Sequence, residues 1–336
     1  MARISYMDRV EYNDDFSILI RCPENFEGAY EVPDCVSCIA EGAFENCQGL
    51  TALSIPNSVT IIGDDAFIGC SHLASIDVVV DNPNYCSIDG VLFSKDQTIL
   101  IKYPNGKNTS QYIIPDGVIT IYAGAFSACA YLTSIQFANS VREIAFCAFS
   151  GCKNIDSVNL NQGLSSIGHG AFIGCKNLKN IAIPDGVTRI WDEAFSGCSN
   201  LFSIIVPSTV RQISPKAFMD CSNLTAIVVD ANNSNYCSID GVLFCKHPYI
   251  LLHYPAGKGE KYEIPNDVQA IWYYAFCGCD KLITIRISDS VTSIEKNAFL
   301  CCDNLREVIV PTGKKEYFRL MKAFKDSVSI LEEIPR

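Results

Sequence analysis

The chain has 336 residues, of which 49% are hydrophobic, so it can bury a large core. It carries 26 basic and 37 acidic residues, and the net charge of −11 argues against a nucleic-acid backbone or an anionic membrane surface as its partner. The opening residues contain no apolar run typical of a signal peptide, and no later segment approaches the roughly 18 apolar residues of a membrane span. We therefore expect neither export by that route nor membrane insertion.

Residues 1–29 are predicted to form an N-terminal hairpin cap. Val10, Ile18 and Ile20 align, at an offset of 81, with the first of two hairpin segments that occur later in the chain. Short apolar runs on either side of polar residues are typical of a hairpin.

Residues 30–311 contain a repeat with a period of 23 residues, interrupted twice by spacings of 59 and 58. Each repeat holds an Ala-Phe pair, a cysteine three residues after the phenylalanine, and an alternating apolar pair such as Ile204 and Val206. The pairs begin at Ala43, Ala66, Ala125, Ala148, Ala171, Ala194, Ala217, Ala275 and Ala298. A repeat this short cannot bury its own apolar face, so the repeats must stack into a solenoid, which we expect to have about twelve coils.

Two insertions, at 81–111 and 230–261, interrupt the period and match each other at an offset of 151. In the first copy, apolar runs from Val91 to Phe93 and from Ile99 to Tyr103 flank polar residues. This pattern predicts a hairpin that replaces the Ala-Phe arc of one coil.

The last segment, 312–336, breaks the repeat. Tyr317, Leu320, Met321 and Phe324 have helical spacing, which predicts a C-terminal helical cap over the last coil.

The repeat resembles the BspA-like leucine-rich repeats, also called the Treponema pallidum type, whose units have the form IPxxVxxIxxxAFxxCxxL. The segments that begin DGVLF and end YPNGK or YPAGK are similar to that family's hairpins. The resemblance implies a strand-rich α/β leucine-rich-repeat fold, a curved right-handed solenoid with a parallel sheet on its concave face. It also implies a role in protein interaction or adhesion without a shared catalytic motif, and many members are exported or surface-bound.

Eighteen cysteines invite a disulfide or metal interpretation. Nine of them share one repeat position, where a small inward thiol packs as a hydrophobic group and where adjacent coils lie about 4.8 Å apart, outside the usual disulfide range. Free thiols on this scale favour a reducing, cytoplasmic compartment. Cys35 and Cys38 have metal-ligand spacing, but no second pair completes a zinc site. Cys147, Cys277 and Cys301 lie off this ladder and are candidates for exposed thiols, either reactive or incidental.

The histidines form no recognisable catalytic or metal motif. They occupy unrelated repeat positions, and the sequence has no HExxH, GxSxG or glycine-rich phosphate loop. These histidines are His72, His169, His247 and His253. We therefore expect no enzymatic activity, no cofactor and no metal.

The residue between the two inward positions of each strand is expected to face outward on the concave sheet. Three successive coils place apolar residues there, and polar residues border them, as a protein-contact site requires. The predicted site comprises Gln136, Asn159, Ala182, Phe202, Ile205, Val228, Glu263 and Arg286. The alternative is that β-branched residues simply suit strands.

A second candidate site consists of aromatic residues that follow the core isoleucine of some coils. They could anchor a partner or stack on a sugar ring, or they could pack against the neighbouring coil. The predicted patch comprises Tyr122, Trp191, Trp272 and Tyr273. The leading hypothesis is a protein-binding scaffold, with the hairpins adding or restricting contacts, and the alternative is carbohydrate or cell-surface adhesion through these aromatics.

Overall fold

A computed structural model describes residues 5–7, 9–320, 323–325 and 327–333. The chain forms a β-solenoid of about 14 turns, mostly strand and with almost no helix. The described residues divide into two compact units: unit 1 comprises those up to 155 together with 170–172, and unit 2 comprises 156–169 and those from 173 onward. Among the described residues, no helix has the length and apolar character needed to cross a bilayer.

Unit 1 contains fifteen short strands, two to seven residues long. They are β1 (Ser5–Met7), β2 (Val10–Tyr12), β3 (Ile18–Arg21), β4 (Glu27–Glu31), β5 (Cys38–Ile39), β6 (Gly49–Ile55), β7 (Ile61–Ile62), β8 (Ser75–Val78), β9 (Tyr85–Ile88), β10 (Val91–Ser94), β11 (Ile99–Lys102), β12 (Gln111–Ile113), β13 (Thr120–Ile121), β14 (Ser134–Gln136) and β15 (Glu143–Ile144).

Unit 2 repeats the same alternation and adds the one helix of the described chain. Its elements are β16 (Ser157–Asn159), β17 (Ser166–Ile167), β18 (Asn180–Ala182), β19 (Arg189–Ile190), β20 (Ser203–Val206), β21 (Gln212–Ile213), β22 (Ala226–Val229), β23 (Tyr236–Ile239), β24 (Val242–Cys245), β25 (Ile250–His253), β26 (Lys261–Glu263), β27 (Ala270–Ile271), β28 (Thr284–Arg286), β29 (Ser293–Ile294), β30 (Glu307–Val310), α1 (Lys315–Leu320) and β31 (Ser329–Glu332).

Each ordinary coil contributes one strand to a main sheet and a two-residue strand to a second sheet. In unit 2 the main sheet runs β16-β18-β20-β22 and the second runs β17-β19-β21, all pairs parallel. In unit 1, β4-β6-β8 and β12-β14 form main sheets, while β3-β5-β7 and β11-β13-β15 extend second sheets. The 23-residue period thus gives the register of both sheets directly.

The Ala-Phe pairs build an aromatic stack inside each unit. Phe149 is fully buried and stacks on Phe126 and Phe172, with ring centroids 4.8 and 5.1 Å away. In unit 2, Phe276 stacks in the same way on Phe299 at 4.8 Å. Stacked aromatic rings add stabilising free energy beyond that of their buried area, so this stack stabilises the packing of neighbouring coils.

The hairpins replace one arc each, as the sequence predicts. In the first copy, β9, β10 and β11 form an antiparallel meander, and β11 then pairs in parallel with β13. Tyr103 N donates to Ala125 O at 2.9 Å, just as Phe126 N donates to Ala148 O at 2.7 Å. The pair Lys102-Tyr103 therefore stands in the place of an Ala-Phe pair, and Tyr103 joins the stack through Phe126 at 5.1 Å.

The C-terminal segment differs from the predicted helical cap. Its helix α1 has only six residues, and the chain then forms β31, which pairs in parallel with β30. This strand is additional to those of the twelve coils that the sequence predicts. Phe318 is buried and Phe324 lies 4.8 Å from Phe299, whereas Tyr317 is 45% exposed. Predicted cap residue Met321 lies outside the described residues. A strand covers the last coil because the open edge of β30 offers unpaired backbone groups.

Candidate interaction surface

Three neighbouring strands of unit 2 bring the predicted apolar residues together. Ala182 in β18 is directly paired with Ile205 in β20, and Ile205 is paired with Val228 in β22. Paired residues of adjacent strands lie about 4.8 Å apart and point to the same side of the sheet. Ala182, Ile205 and Val228 therefore form one row, which we call the apolar strip.

The apolar strip is exposed while the residues immediately before Ile205 and Val228 are buried. Ile205 is 58% and Val228 46% exposed, whereas Ile204 and Ile227 are 1% and 0% exposed. Strict alternation of this kind follows from the two-residue period of a strand. Phe202 immediately precedes β20 and is 60% exposed. The strip can thus be covered by another molecule without disturbing the core.

The polar border is only partly as predicted. Asn159 lies exposed at the end of β16, the strand paired with β18. Gln136 lies in unit 1, in β14, where it is paired with Ile113 of β12. Asn159 is therefore the predicted border residue that unit 2 places beside the strip.

Glu263 and Arg286 do not lie on the sheet of the apolar strip, contrary to the prediction of a continuous border. They belong to the separate sheet β26-β28-β30-β31. The second hairpin closes the edge of β22 instead, because Ile227 N donates to Gly241 O at 2.8 Å and Val229 N donates to Ser238 Oγ at 3.0 Å. The insertion displaces the coil that would otherwise have paired with β22.

Arg286 also has an intramolecular partner. Its guanidinium donates to Glu333 Oε1 at 2.6 Å and lies 4.0 Å from Glu263. The two predicted charges are thus members of one ion-paired cluster on their own sheet.

The four predicted aromatic residues do not form one patch. Tyr122 is in unit 1 and donates through its hydroxyl to Asp64 Oδ1 at 2.8 Å. Trp191 stacks on His169 at 5.1 Å, and the Arg189 guanidinium lies 5.6 Å from its ring centre. Of the four, only Trp272 and Tyr273 have a ring contact with each other in the described part of the chain. The interpretation that these rings pack against their surroundings therefore accounts for Tyr122 and Trp191.

The ladder cysteines act as small buried donors. Cys152, Cys221 and Cys302 donate through Sγ to the carbonyl oxygens of Phe126, Phe195 and Phe276 at 2.9, 3.1 and 2.9 Å. Each bond reaches the preceding coil, as expected of an inward thiol beside an adjacent turn. Among the described residues, no group of three His, Cys, Asp or Glu side chains could hold a metal ion.

The three cysteines off the ladder differ in exposure, and one contradicts the sequence-based expectation. Cys301 is exposed and Cys147 half-buried, but Cys277 is only 2% exposed. Burial raises the pKa of the Cys277 thiol to about 12, with Asp220 and Cys301 adding to the effect. The repeat does not predict this burial, because Ile68 and Leu300 hold the same repeat position and are 42% and 41% exposed.

We expect a maleimide at pH 7 to label Cys301 in the folded protein and to leave Cys277 unlabelled, since the thiolate is the reacting form. Peptide mass spectrometry after brief labelling gives the extent at each site, and Cys35, which is also exposed, is the matched positive control. Labelling of Cys277 as fast as that of Cys301 would contradict its burial. In denaturant both should react fully.

A cavity of about 540 Å³ in unit 1 was not predicted from the sequence. It lies between the arc that holds Phe67 and the arc that holds Gly124, beside β10 and β11 of the first hairpin. Lys102, only 6% exposed, is among the residues that line it. The 23-residue distance from Lys102 to Ala125 is the sequence signal that could have identified Lys102, because it places a lysine where other coils have alanine.

A family model described as the BspA type leucine rich repeat region matches this chain in six copies, over residues 28–109, 97–225 and 254–332. These ranges cover more than half of the sequence. A comparison with curated proteins found no match.

Several solved bacterial structures are similar to this one. A leucine-rich repeat protein from Eubacterium ventriosum is 28% identical with a TM-score of 0.60, over 82% of this chain and 64% of that one. This chain therefore spans less than two thirds of that protein. A leucine rich cell surface protein from Faecalibacterium prausnitzii is 22% identical with a TM-score of 0.55, over 100% and 96% of the two chains. The pneumococcal vaccine antigen PcpA is 22% identical with a TM-score of 0.51, over 93% and 69%.

Proposed function

Because the chain belongs to the BspA-type leucine-rich repeat family, we propose that it is a non-enzymatic scaffold that binds a protein partner through the apolar strip of unit 2. The observation that carries this proposal is the row of Ala182, Ile205 and Val228 on three paired strands, exposed on the side opposite the buried Ile181, Ile204 and Ile227. Depletion of charge at the centre of a surface patch is typical of protein interfaces.

The surroundings of the strip also favour a protein as the ligand. The strip is an open surface with Phe202 at its margin, and an exposed aromatic is a common anchor in protein interfaces. A small molecule would find no enclosure there, whereas a protein can cover the whole row. In this proposal the second hairpin restricts the partner, because it ends the sheet at β22.

Ile205→Glu combined with Val228→Glu is expected to abolish partner capture and leave the fold intact. Both side chains point to solvent, so the charges cost little in the free protein, but burying them in an interface without partners costs at least about 2 kcal/mol each, or roughly thirtyfold in affinity per site. Affinity capture from the native organism, compared between wild type and variant, measures the effect.

Ile113→Glu is the matched control, because Ile113 is 66% exposed and holds the same repeat position in β12 of unit 1. This variant should retain the captured protein. If the double variant captures the same protein as wild type while its circular dichroism is unchanged, the apolar strip is not the binding surface.

Carbohydrate adhesion is the alternative, and the occupied rings do not favour it. Trp191 is engaged by His169 and Arg189, and Tyr122 is held by Asp64. A glycan array tests this alternative directly: reproducible binding that Trp272→Ala removes would favour it over the protein scaffold.

A further inference from the structure

The cavity of unit 1 has the size of a small-molecule site. Its volume of about 540 Å³ is within the range of roughly 300 to 1,000 Å³ that is usual for ligand pockets. The hairpin leaves this space because β10 and β11 replace the arc that would otherwise fill it between neighbouring coils.

The second hairpin has no comparable cavity, so the cavity is specific to the first hairpin and is not a general result of inserting a hairpin. The corresponding cavity, lined by Phe218, His253 and Trp272, measures only about 10 Å³. Tyr274 spans the equivalent place there: its ring lies 5.6 Å from Lys216 Nζ, and its hydroxyl accepts a hydrogen bond from Asn297 at 3.2 Å.

Small residues keep the first cavity open. At an offset of 150, Ala123 and Gly124 occupy the positions of Tyr273 and Tyr274. A Cβ placed on Gly124 would meet nothing closer than 3.9 Å, so the backbone leaves room for a side chain that the sequence does not supply. Gly124 has φ of +61° and Tyr274 has φ of +58°, so the same backbone accepts a tyrosine in this fold.

Lys102 is the one basic side chain that lines the cavity. It is 6% exposed, its Nζ donates to Gly124 O at 3.3 Å, and no salt bridge found among the described residues includes it. Burial lowers the pKa of this amine, although the thiols of Cys129 and Cys70 and the carboxylate of Asp65 partly oppose the effect. A buried ammonium without a charged partner is costly, and an oxyanion is the group that relieves that cost.

The rest of the lining is mainly apolar, with two exposed carboxylates. Its apolar side chains include Ile62, Phe67, Ile99, Ile101 and Phe146. Asp64 and Asp65 are exposed and would repel a multiply charged anion such as phosphate. Asp64 already accepts a hydrogen bond from Tyr122. A single negative charge on an apolar body is the combination that matches this lining.

We propose that this cavity binds a small apolar monocarboxylate, whose oxygens accept hydrogen bonds from Lys102 and whose apolar part packs against Phe67, Ile99 and Ile101. The site is independent of the apolar strip of unit 2, and neither proposal depends on the other.

Isothermal titration calorimetry with octanoate, and with 1-octanol as the uncharged probe, tests the proposal. Wild type should bind octanoate at one site, at least roughly tenfold tighter than 1-octanol. Lys102→Met keeps the side chain unbranched and removes its charge, so it should bind the two probes about equally. Lys95→Met is the control, because Lys95 is an exposed lysine of the same hairpin that does not line the cavity, and it should behave as wild type.

Gly124→Tyr introduces the residue that the second hairpin has at the equivalent position, Tyr274. Its ring should fill the cavity and abolish binding of both probes. A melting curve shows whether each variant is folded. If Lys102→Met does not fold, Gly124→Tyr still tests the proposal. Equal affinity of wild type for both probes, retention of the carboxylate preference in Lys102→Met, or unchanged binding in Gly124→Tyr would each overturn the proposal.

Discussion

Asn233→Leu is expected to lower the free energy of unfolding of unit 2 by at least about 4 kcal/mol, since each of the four backbone groups left unpaired costs about 1 to 3 kcal/mol. Asn233 is 1% exposed and satisfies four such groups. Its Nδ2 donates to Pro207 O at 2.9 Å and Val210 O at 3.0 Å, and its Oδ1 accepts from the backbone N of Asn235 and Tyr236, both at 2.9 Å. Leucine has the same branching at Cγ and makes none of these bonds.

The measurement is a urea titration followed by tryptophan fluorescence. Both tryptophans, Trp191 and Trp272, lie in unit 2, so the signal reports on the unit that contains Asn233. Asn232→Leu is the control, because Asn232 is exposed and bonds through its backbone N to Asp230, and its midpoint should stay close to that of wild type. A shift for Asn233→Leu no larger than that of the control would show that the buried amide does not hold the coil to the hairpin.

Asn82 occupies the same place in the first copy, with bonds to Pro56 O at 2.7 Å and Val59 O at 2.9 Å. The carbonyls it satisfies belong to the turn of the preceding coil. This asparagine therefore fastens the start of each hairpin to the regular stack, where the ordinary coil-to-coil hydrogen bonds are interrupted.

Most of the fold could be predicted because one period determines it. The 23-residue spacing gave the strand positions, the inward faces and the register, and residues such as Leu201, Ile204 and Phe218 are buried as expected. The hairpins followed from a second duplication, since β10 and β11 match the two apolar runs found in the sequence. Local periodicity sufficed wherever neighbouring coils are alike.

The errors occurred where coils are unlike their neighbours. The repeat position of Glu263 and Arg286 predicts that they border the apolar strip, but the second hairpin occupies the edge of β22, so β26 does not pair there. The sequence does not predict β31 because the spacing changes there: Ile330 follows Phe324 by six residues, whereas its partner Val308 follows Phe299 by nine. Such pairings depend on which edge is open, which a single repeat unit does not encode.

The cavity is the clearest case of a feature that local sequence patterns do not predict. It depends on the absence of large side chains at Ala123 and Gly124. It also depends on Lys102, whose Nζ donates to the backbone oxygen of Gly124, 22 residues further along the chain. Alternation within a strand is enough to predict the apolar strip of unit 2. The cavity is recognised only when the structures of the two hairpins are compared.

Phe149→Ala is expected to lower the stability of unit 1 by at least about 4 kcal/mol. Truncation of a fully buried phenylalanine costs about 3 to 5 kcal/mol through lost burial and the cavity that remains, and an aromatic pair adds about 0.5 to 1.5 kcal/mol. Phe149 loses three such pairs at once, with Phe126 at 4.8 Å, Phe172 at 5.1 Å and Phe137 at 5.8 Å. Alanine cannot bridge the rings above and below it, so the stack is cut at this coil.

Hydrogen exchange followed by mass spectrometry can localise that loss, since a solenoid need not unfold as one cooperative unit. Amides of the arcs around Phe126 and Phe149 should exchange faster, and the effect should fade in coils farther along unit 1, because each coil depends on its direct neighbours. Phe146→Ala is the matched control: Phe146 is 63% exposed only three residues away, and its loss should leave this protection unchanged. Equal exchange in both variants would mean that the stability of unit 1 comes from its sheets and not from the aromatic stack.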